Sequence, residues 1–306
     1  MNSATASAVR APNGMQFWQA LTFTEIEQLL PVVRICEEVG FDGVIIGDHL
    51  LHFEQVRSGY PYAENGQPPY APETPWPEPW STIAAMAGVT TTLRFATDVY
   101  ILPLRNPIDV AKAVATVAAL FEGRVILGAG LGWMKEEFEL QGVDFRTRGK
   151  RCDECIEVLR KLWSGGMVEH HGQFFDLPRV QLRPVPKTRI PIYLGGMSPA
   201  ALRRAARLGD GWLCAGITSD LLLKNLKVLE ALRAEAGRRS EPFEVIAPLT
   251  DPPAVDTLKR IEAAGTTGIL NFPFTFTVAS TSTVEQKRAY LERYGNEVIA
   301  RMRSRR

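Results

Sequence analysis

The chain of 306 residues carries 35 Lys and Arg side chains against 34 Asp and Glu, which gives a formal net charge of +1. This length suits two average domains or one large α/β barrel. Because the charges nearly cancel, there is no overall positive field that would attract nucleic acid or an anionic membrane. Hydrophobic residues make up 45% and charged residues 23%, so a disordered or collagen-like chain is excluded. We therefore expect a globular protein that binds neither nucleic acid nor a membrane.

The four cysteines and the N-terminus indicate the compartment. Four cysteines are too few for a disulfide scaffold of this length. Cys152 and Cys155 form a C-x-x-C inside a helical pattern, without a second pair or a nearby histidine, so no metal site is expected. Residues 1–14 are small and polar, lack the apolar core of a signal peptide, and are interpreted as a disordered extension before one domain at 15–306. No stretch reaches the ~20 apolar residues of a membrane span. These features predict a cytoplasmic protein.

From residue 15 onward, short apolar runs alternate with longer amphipathic stretches. The predicted strands are 15–21, 44–46, 95–102, 124–127, 190–194, 211–214, 243–248 and 268–272, and the predicted helices are 25–39, 80–90, 107–121, 149–163, 199–208, 220–236, 254–264 and 283–303, with a hairpin at 168–182. Eight strand–helix units predict a (β/α)8 TIM barrel. A doubly wound sheet is the weaker alternative, because no G-x-G-x-x-G follows the first strand.

Two segments are longer than barrel loops need. Residues 50–79, after the second strand, are rich in proline and aromatic side chains, which need a surface to pack on. This composition favours a lid over the substrate, and a wrap around the barrel exterior is the alternative. Residues 131–148 form a second insertion, after the fourth strand.

The active site of such a barrel lies at the carboxyl ends of its strands. His49 follows the second strand and suits general acid–base chemistry, although Asp48 or the backbone could simply satisfy it. A carboxylate at Asp98, inside a buried strand, is costly unless it is paired or faces a pocket. Gly196 and Ser198 precede a helix whose free N–H groups suit an anion; an ordinary capped helix with a tight turn is the alternative.

Several motifs match a known family. They are Gly-Phe-Asp-Gly-Val (40–44), Gly-Asp-His (47–49), Leu-Pro-Leu-Arg-Asn-Pro (102–107), Gly-Leu-Gly-Trp-Met-Lys-Glu-Glu-Phe (130–138), His-Gly-Gln-Phe-Phe (171–175) and Ile-Tyr-Leu-Gly-Gly-Met-Ser-Pro (192–199). From about residue 15 to residue 212 the chain resembles the luciferase-like monooxygenase superfamily, and within it the deazaflavin (coenzyme F420) oxidoreductases.

The resemblance implies a barrel with the cofactor ring at its carboxyl-end mouth and a non-prolyl cis peptide at Asp98–Val99 behind that ring. The catalytic residues it implies are His49 and Asp48. The cofactor-binding residues are Asp48, Thr97, Asp98, Val99, Gly130, Leu131 and Gly132, with phosphate contacts at Gly195, Gly196 and Ser198. Trp18, Phe53 and Trp133 are placed in the substrate pocket. Homodimers are common in the family, so a homodimer is expected.

One position departs from the family. Where its sugar-phosphate dehydrogenases carry a catalytic glutamate, this chain has Trp133.

The activity implied by the resemblance is hydride transfer between F420 and a small organic substrate, with His49 donating or accepting the accompanying proton. An FMN-dependent monooxygenase is the first alternative, and a non-catalytic flavin-binding protein is the second.

Overall fold

The computed structural model describes residues 14–304, so the predicted extension at 1–14 lies, apart from Gly14, outside the described residues. The strands are β1 (Gln16–Ala20), β2 (Gly43–Ile46), β3 (Arg94–Thr97), β4 (Tyr100–Ile101), β5 (Val125–Gly130), β6 (Val168–His171), β7 (Asp176–Val180), β8 (Ile192–Gly195), β9 (Gly211–Leu213), β10 (Glu244–Ala247) and β11 (Gly268–Asn271).

The main sheet is a closed parallel barrel. Its hydrogen-bonded order is β3-β2-β1-β11-β10-β9-β8-β5, and β5 returns to pair with both β3 and β4. Segments β3 and β4 therefore act as one barrel strand, which makes eight. β6 and β7 pair antiparallel as a separate hairpin, at the predicted excursion. The prediction of a TIM barrel with insertions after its second and fourth strands is confirmed.

Helices surround the barrel. They are α1 (Leu29–Val39), α2 (Pro79–Gly88), α3 (Pro107–Leu120), α4 (Lys135–Leu140), α5 (Arg148–Leu162), α6 (Pro199–Leu208), α7 (Ser219–Glu235), α8 (Val255–Ala263), α9 (Phe274–Thr277), α10 (Val284–Tyr294) and α11 (Ala300–Arg303). Local signals set their ends: Gly40 closes α1 with φ 97°, and the Asn106 side chain accepts the Ile108 N–H at the start of α3. Among residues 14–304 there is no helix of the length and apolarity that crossing a bilayer requires.

Two predicted elements are interrupted. The strand predicted at 95–102 breaks between β3 and β4, where the Asp98–Val99 peptide is cis, as the resemblance implied. The last predicted helix, 283–303, contains a π-type turn at Gly295–Ile299. Glycine is needed there, since a Cβ on Gly295 would lie 2.5 Å from Val39 Cγ1.

The barrel interior is filled by side chains. Its apolar cluster consists of Trp18, Ala20, Ile45, Ala96, Ile126, Tyr193, Leu213, Ile246 and Leu270. Trp18 is fully buried, lies level with Gly43 at the start of β2, and donates its indole N–H to Gln16 Oε1 (3.0 Å). It belongs to the amino-end half of the interior, away from the mouth, and its assignment to the substrate pocket is therefore corrected.

Candidate active site at the carboxyl ends of the strands

His49 lies just beyond the carboxyl end of β2, with an 8% exposed side chain. Its Nδ1 is 3.1 Å from Glu137 Oε1, and because a carboxylate accepts, Nδ1 carries the hydrogen. Trp133 donates its indole N–H to His49 Nε2 at 3.3 Å. Both ring nitrogens are therefore hydrogen-bonded, with Nε2 turned toward the second insertion.

Asp48, the neighbouring predicted site residue, uses its side chain within the protein. Its Oδ2 accepts the Ile101 N–H at 2.9 Å, and its Oδ1 lies 2.7 Å from the Arg105 guanidinium. Burial raises the pKa of this carboxyl, and the Arg105 charge opposes the rise. The side chain thus ties the end of β2 to the segment after β4, and the assignment of Asp48 as a catalytic and cofactor-binding residue stays a prediction.

The predicted residues on β3 and β5 pack against one another. Thr97 is fully buried, and its hydroxyl donates to Gly128 O (2.7 Å) and accepts the Gly128 N–H (3.1 Å). The hydroxyl therefore bridges two strands, and the assignment of Thr97 as a cofactor contact stays a prediction. Val99 packs against the ends of β5 and β8. A Cβ added to Gly130 would lie 2.2 Å from one Val99 methyl group, and a Cβ added to Gly195 would lie 2.6 Å from the other. These two glycines make room for Val99 in the mouth.

Ser198 and Gly196 lie at the start of α6, as predicted. The Ser198 hydroxyl accepts the Ala201 N–H at 3.2 Å, and Gly196 has φ 116°. Ser198 is exposed at the start of this ten-residue helix. Just after β5, Leu131 and Gly132 are partly buried, and Gly132 has φ 77°. This helix N-terminus can receive an anionic group.

The loop between β2 and α2 lies over His49. Trp76 and Tyr70 contact the imidazole, with ring centroids 4.8 Å and 5.6 Å away. Tyr60 packs edge-on against Trp133 at 5.3 Å. The predicted pocket residue Phe53 is partly buried in the same loop. The aromatic side chains therefore pack on the mouth, as expected of a cover.

Three acidic residues of α4 anchor this loop, and sequence reasoning missed them. Glu136 accepts the N–H groups of Arg57 (2.6 Å) and Ser58 (3.1 Å) and the Ser58 hydroxyl (2.7 Å). Glu137, fully buried, accepts the Leu50 N–H (2.7 Å) besides His49. Glu139 pairs with Arg57. In sequence, acidic residues in a first helical turn indicate only a favourable interaction with the helix dipole.

We expect Glu136→Gln to loosen the loop over the mouth. The amide keeps an acceptor for one N–H but loses the charge that strengthens three hydrogen bonds. Backbone amides of residues 57–76 should then exchange faster with solvent deuterium than in the wild-type protein, as measured by mass spectrometry. Glu230→Gln, at an exposed carboxylate on α7 that pairs with Arg239, is the control and should leave that region unchanged. Equal exchange in all three proteins would contradict the anchoring role.

The residues at the mouth fit a polar ring carrying a phosphate. Within residues 14–304, Tyr70 Oη and Glu137 Oε2 are buried without a hydrogen-bond partner. Unpartnered buried polar atoms are costly, and a ligand with amide-like groups would satisfy them. The exposed start of α6 suits the phosphate. A closed barrel with these groups at its carboxyl-end mouth defines an α/β-barrel protein with a candidate ligand-binding site.

Comparison with known proteins agrees with this class. The family model for luciferase-like monooxygenases matches residues 7–294. The chain belongs to the luciferase-like monooxygenase family.

Its relatives and structural neighbours include F420-dependent enzymes and a monooxygenase. An uncharacterized protein of Mycobacterium tuberculosis is 38% identical over 290 residues, covering 94% of this chain and all of the relative. An F420-dependent glucose-6-phosphate dehydrogenase of Amycolatopsis mediterranei is 32% identical over 209 residues, covering 67% of this chain and 58% of that enzyme. An F420-dependent secondary alcohol dehydrogenase (TM-score 0.72, 20% identity) and the monooxygenase RslO1 from Streptomyces bottropensis (TM-score 0.73, 17% identity) share the fold, each over 94% of this chain and 99% of the other.

Proposed function

We propose that this protein is a coenzyme F420-dependent oxidoreductase that transfers a hydride between the deazaflavin and a small organic substrate at the barrel mouth. The observation that carries the proposal is the imidazole of His49, held between Glu137 and Trp133 beside unpartnered polar groups. The F420-dependent relatives support F420 over FMN.

The cofactor would be held from two sides. Residues Val99, Gly130, Leu131 and Gly132 would contact the ring and its side chain, and Gly195, Gly196 and Ser198 would receive the phosphate at the start of α6. When bound, the deazaflavin supplies the hydride acceptor or donor.

The protein contributes proton handling and exclusion of water. In the proposed reaction, His49 exchanges the accompanying proton with the substrate at Nε2, which requires the Trp133 indole to release that nitrogen. Glu137 keeps the hydrogen on Nδ1 and so leaves Nε2 as the exchanging atom. The aromatic side chains of the β2–α2 loop cover the imidazole and limit the access of water.

Titration of the purified protein with F420 and with FMN tests the proposal. We expect tighter binding of F420, read by calorimetry. Comparable or tighter FMN binding would favour the alternative, an FMN-dependent monooxygenase. A bound cofactor without turnover on any acceptor would indicate a non-catalytic flavin-binding protein.

A charge at the start of α6 tests the phosphate site separately. Ser198→Asp keeps a good N-cap but adds a negative charge, which at about 4 Å costs roughly 1–4 kcal/mol with a phosphate. Both cofactors should therefore bind about tenfold or more weakly. Thr218→Asp, at the cap of α7, is the control and should bind them normally. Unchanged affinity in Ser198→Asp would place the phosphate elsewhere.

A further inference from the structure

Tyr70 of the β2–α2 loop is held at the mouth by aromatic rings from other parts of the chain. Its ring contacts Phe23, in the segment after β1, at 5.7 Å between centroids, and His49 at 5.6 Å. Trp76, from the same loop, packs edge-on against it at 5.0 Å. These three ring contacts fix the position of the phenol relative to the imidazole.

The Tyr70 hydroxyl is a buried donor without an acceptor. Within residues 14–304 no hydrogen bond reaches its Oη, although the atom is shielded from solvent. Burial raises the pKa of Tyr70, and the Glu137 charge acts in the same direction, so the phenol keeps its proton near pH 7. Because water would solvate this hydroxyl if the loop moved away, its burial without a partner destabilises the closed arrangement of the loop.

A complementary acceptor lies beside the same imidazole. Glu137 is fully buried, and its Oε1 accepts the hydrogens of His49 Nδ1 and of the Leu50 N–H. Its Oε2 has no partner among the described residues, and it is not bonded to the Tyr70 hydroxyl. One donor and one acceptor are therefore open next to His49. An uncharged group that both accepts and donates, such as a hydroxyl or a C(=O)–NH edge, satisfies them.

We propose that the Tyr70 hydroxyl donates a hydrogen bond to an uncharged oxygen of the molecule bound beside His49, and that this bond holds the β2–α2 loop closed. The proposal rests on the proposed function only for the identity of that molecule. The oxygen belongs to a carbonyl group of the cofactor ring, or to the carbonyl or hydroxyl group of the substrate. In the free protein the unsatisfied hydroxyl favours opening of the loop, whereas in the complex the same hydroxyl favours closure.

Hydrogen exchange of the free protein tests the first part of the proposal. Tyr70→Phe keeps the ring and removes the unsatisfied hydroxyl, so the backbone amides of residues 57–76 should exchange about fivefold or more slowly than in wild type. Tyr62→Phe makes the same change at a 51% exposed side chain of the same loop, and this control should exchange as wild type does. Tyr70→Leu loses the ring contacts as well and should exchange faster. Exchange in Tyr70→Phe as fast as in wild type, or faster, would overturn the proposal.

Ligand binding tests the second part, with F420 and FMN as probes because both rings carry carbonyl groups. If the acceptor belongs to the cofactor, Tyr70→Phe should bind it about fivefold more weakly than wild type and Tyr62→Phe, as measured by calorimetry. Bound cofactor should also slow the exchange of residues 57–76 in wild type by a larger factor than in Tyr70→Phe. If the acceptor belongs to the substrate, the same loss should appear with cyclohexanone and the cofactor-loaded proteins. A cofactor and a ketone that both bind Tyr70→Phe as tightly as wild type would overturn the proposal.

Failure of this proposal and failure of the proposed function remain distinguishable. A preference for FMN over F420 would overturn the proposed cofactor, whereas weaker FMN binding to Tyr70→Phe would still support the role of the hydroxyl. The exchange experiment on the free protein uses no ligand, so its result is independent of which cofactor binds.

Discussion

Arg94→Met is expected to lower the free energy of unfolding by about 3–5 kcal/mol, because removal of one member of a buried ion pair leaves the other charge without compensation. Arg94 forms two hydrogen bonds with Glu244 (2.9 and 3.0 Å) and one with the Tyr193 hydroxyl (3.1 Å). The exposed fractions of the two charged side chains are 14% and 12%. Urea denaturation at pH 7 measures the loss.

Two further variants separate the ion pair from general effects of charge removal. Arg239→Met breaks an exposed pair with Glu230 and should change stability little. The double variant Arg94→Met/Glu244→Met removes both charges from the barrel interior and should recover much of the loss. A single Arg94→Met variant as stable as wild type would show that water, rather than Arg94, solvates Glu244.

The barrel could be predicted because its pattern is local. Short buried strands and capped helices repeat along the chain, and Pro107 and Gly40 mark helix ends at the expected positions. The break at Asp98–Val99 was predicted from the resemblance and not from the apolar run, which continues through it. Periodicity reports which residues are buried, but it carries no information on a local change of backbone direction.

The partners of the site residues could not be predicted, because they come from distant parts of the chain. Asp48 and Arg105 are separated by 57 positions, and His49 and Glu137 by 88. Asp48 had the appearance of a ligand-facing carboxylate as long as its partner was unknown.

His49→Ala is expected to slow hydride transfer about 10²–10⁴-fold, which corresponds to roughly 3–5 kcal/mol of barrier, with a modest effect on cofactor affinity. The imidazole is the group for which the proposed reaction needs proton exchange, whereas its contacts are to Glu137 and Trp133 rather than to the α6 phosphate site. Single-turnover kinetics with reduced F420 and a turnover-competent acceptor separate the two effects. An unchanged rate would make His49 a structural residue.

Glu137 should act through His49, and two variants grade its contribution. Glu137→Gln keeps an acceptor for the Nδ1 hydrogen and for the Leu50 N–H, so the rate should fall less than in His49→Ala. Glu137→Leu removes the acceptor and should slow the reaction nearly as much as His49→Ala.

If Glu137 positions the imidazole, adding Glu137→Leu to His49→Ala should slow the reaction little further, because the effects of residues that act as a unit are not additive. Glu230→Gln is the exposed control on α7 and should react normally. A double variant much slower than either single variant would show that Glu137 acts independently of His49.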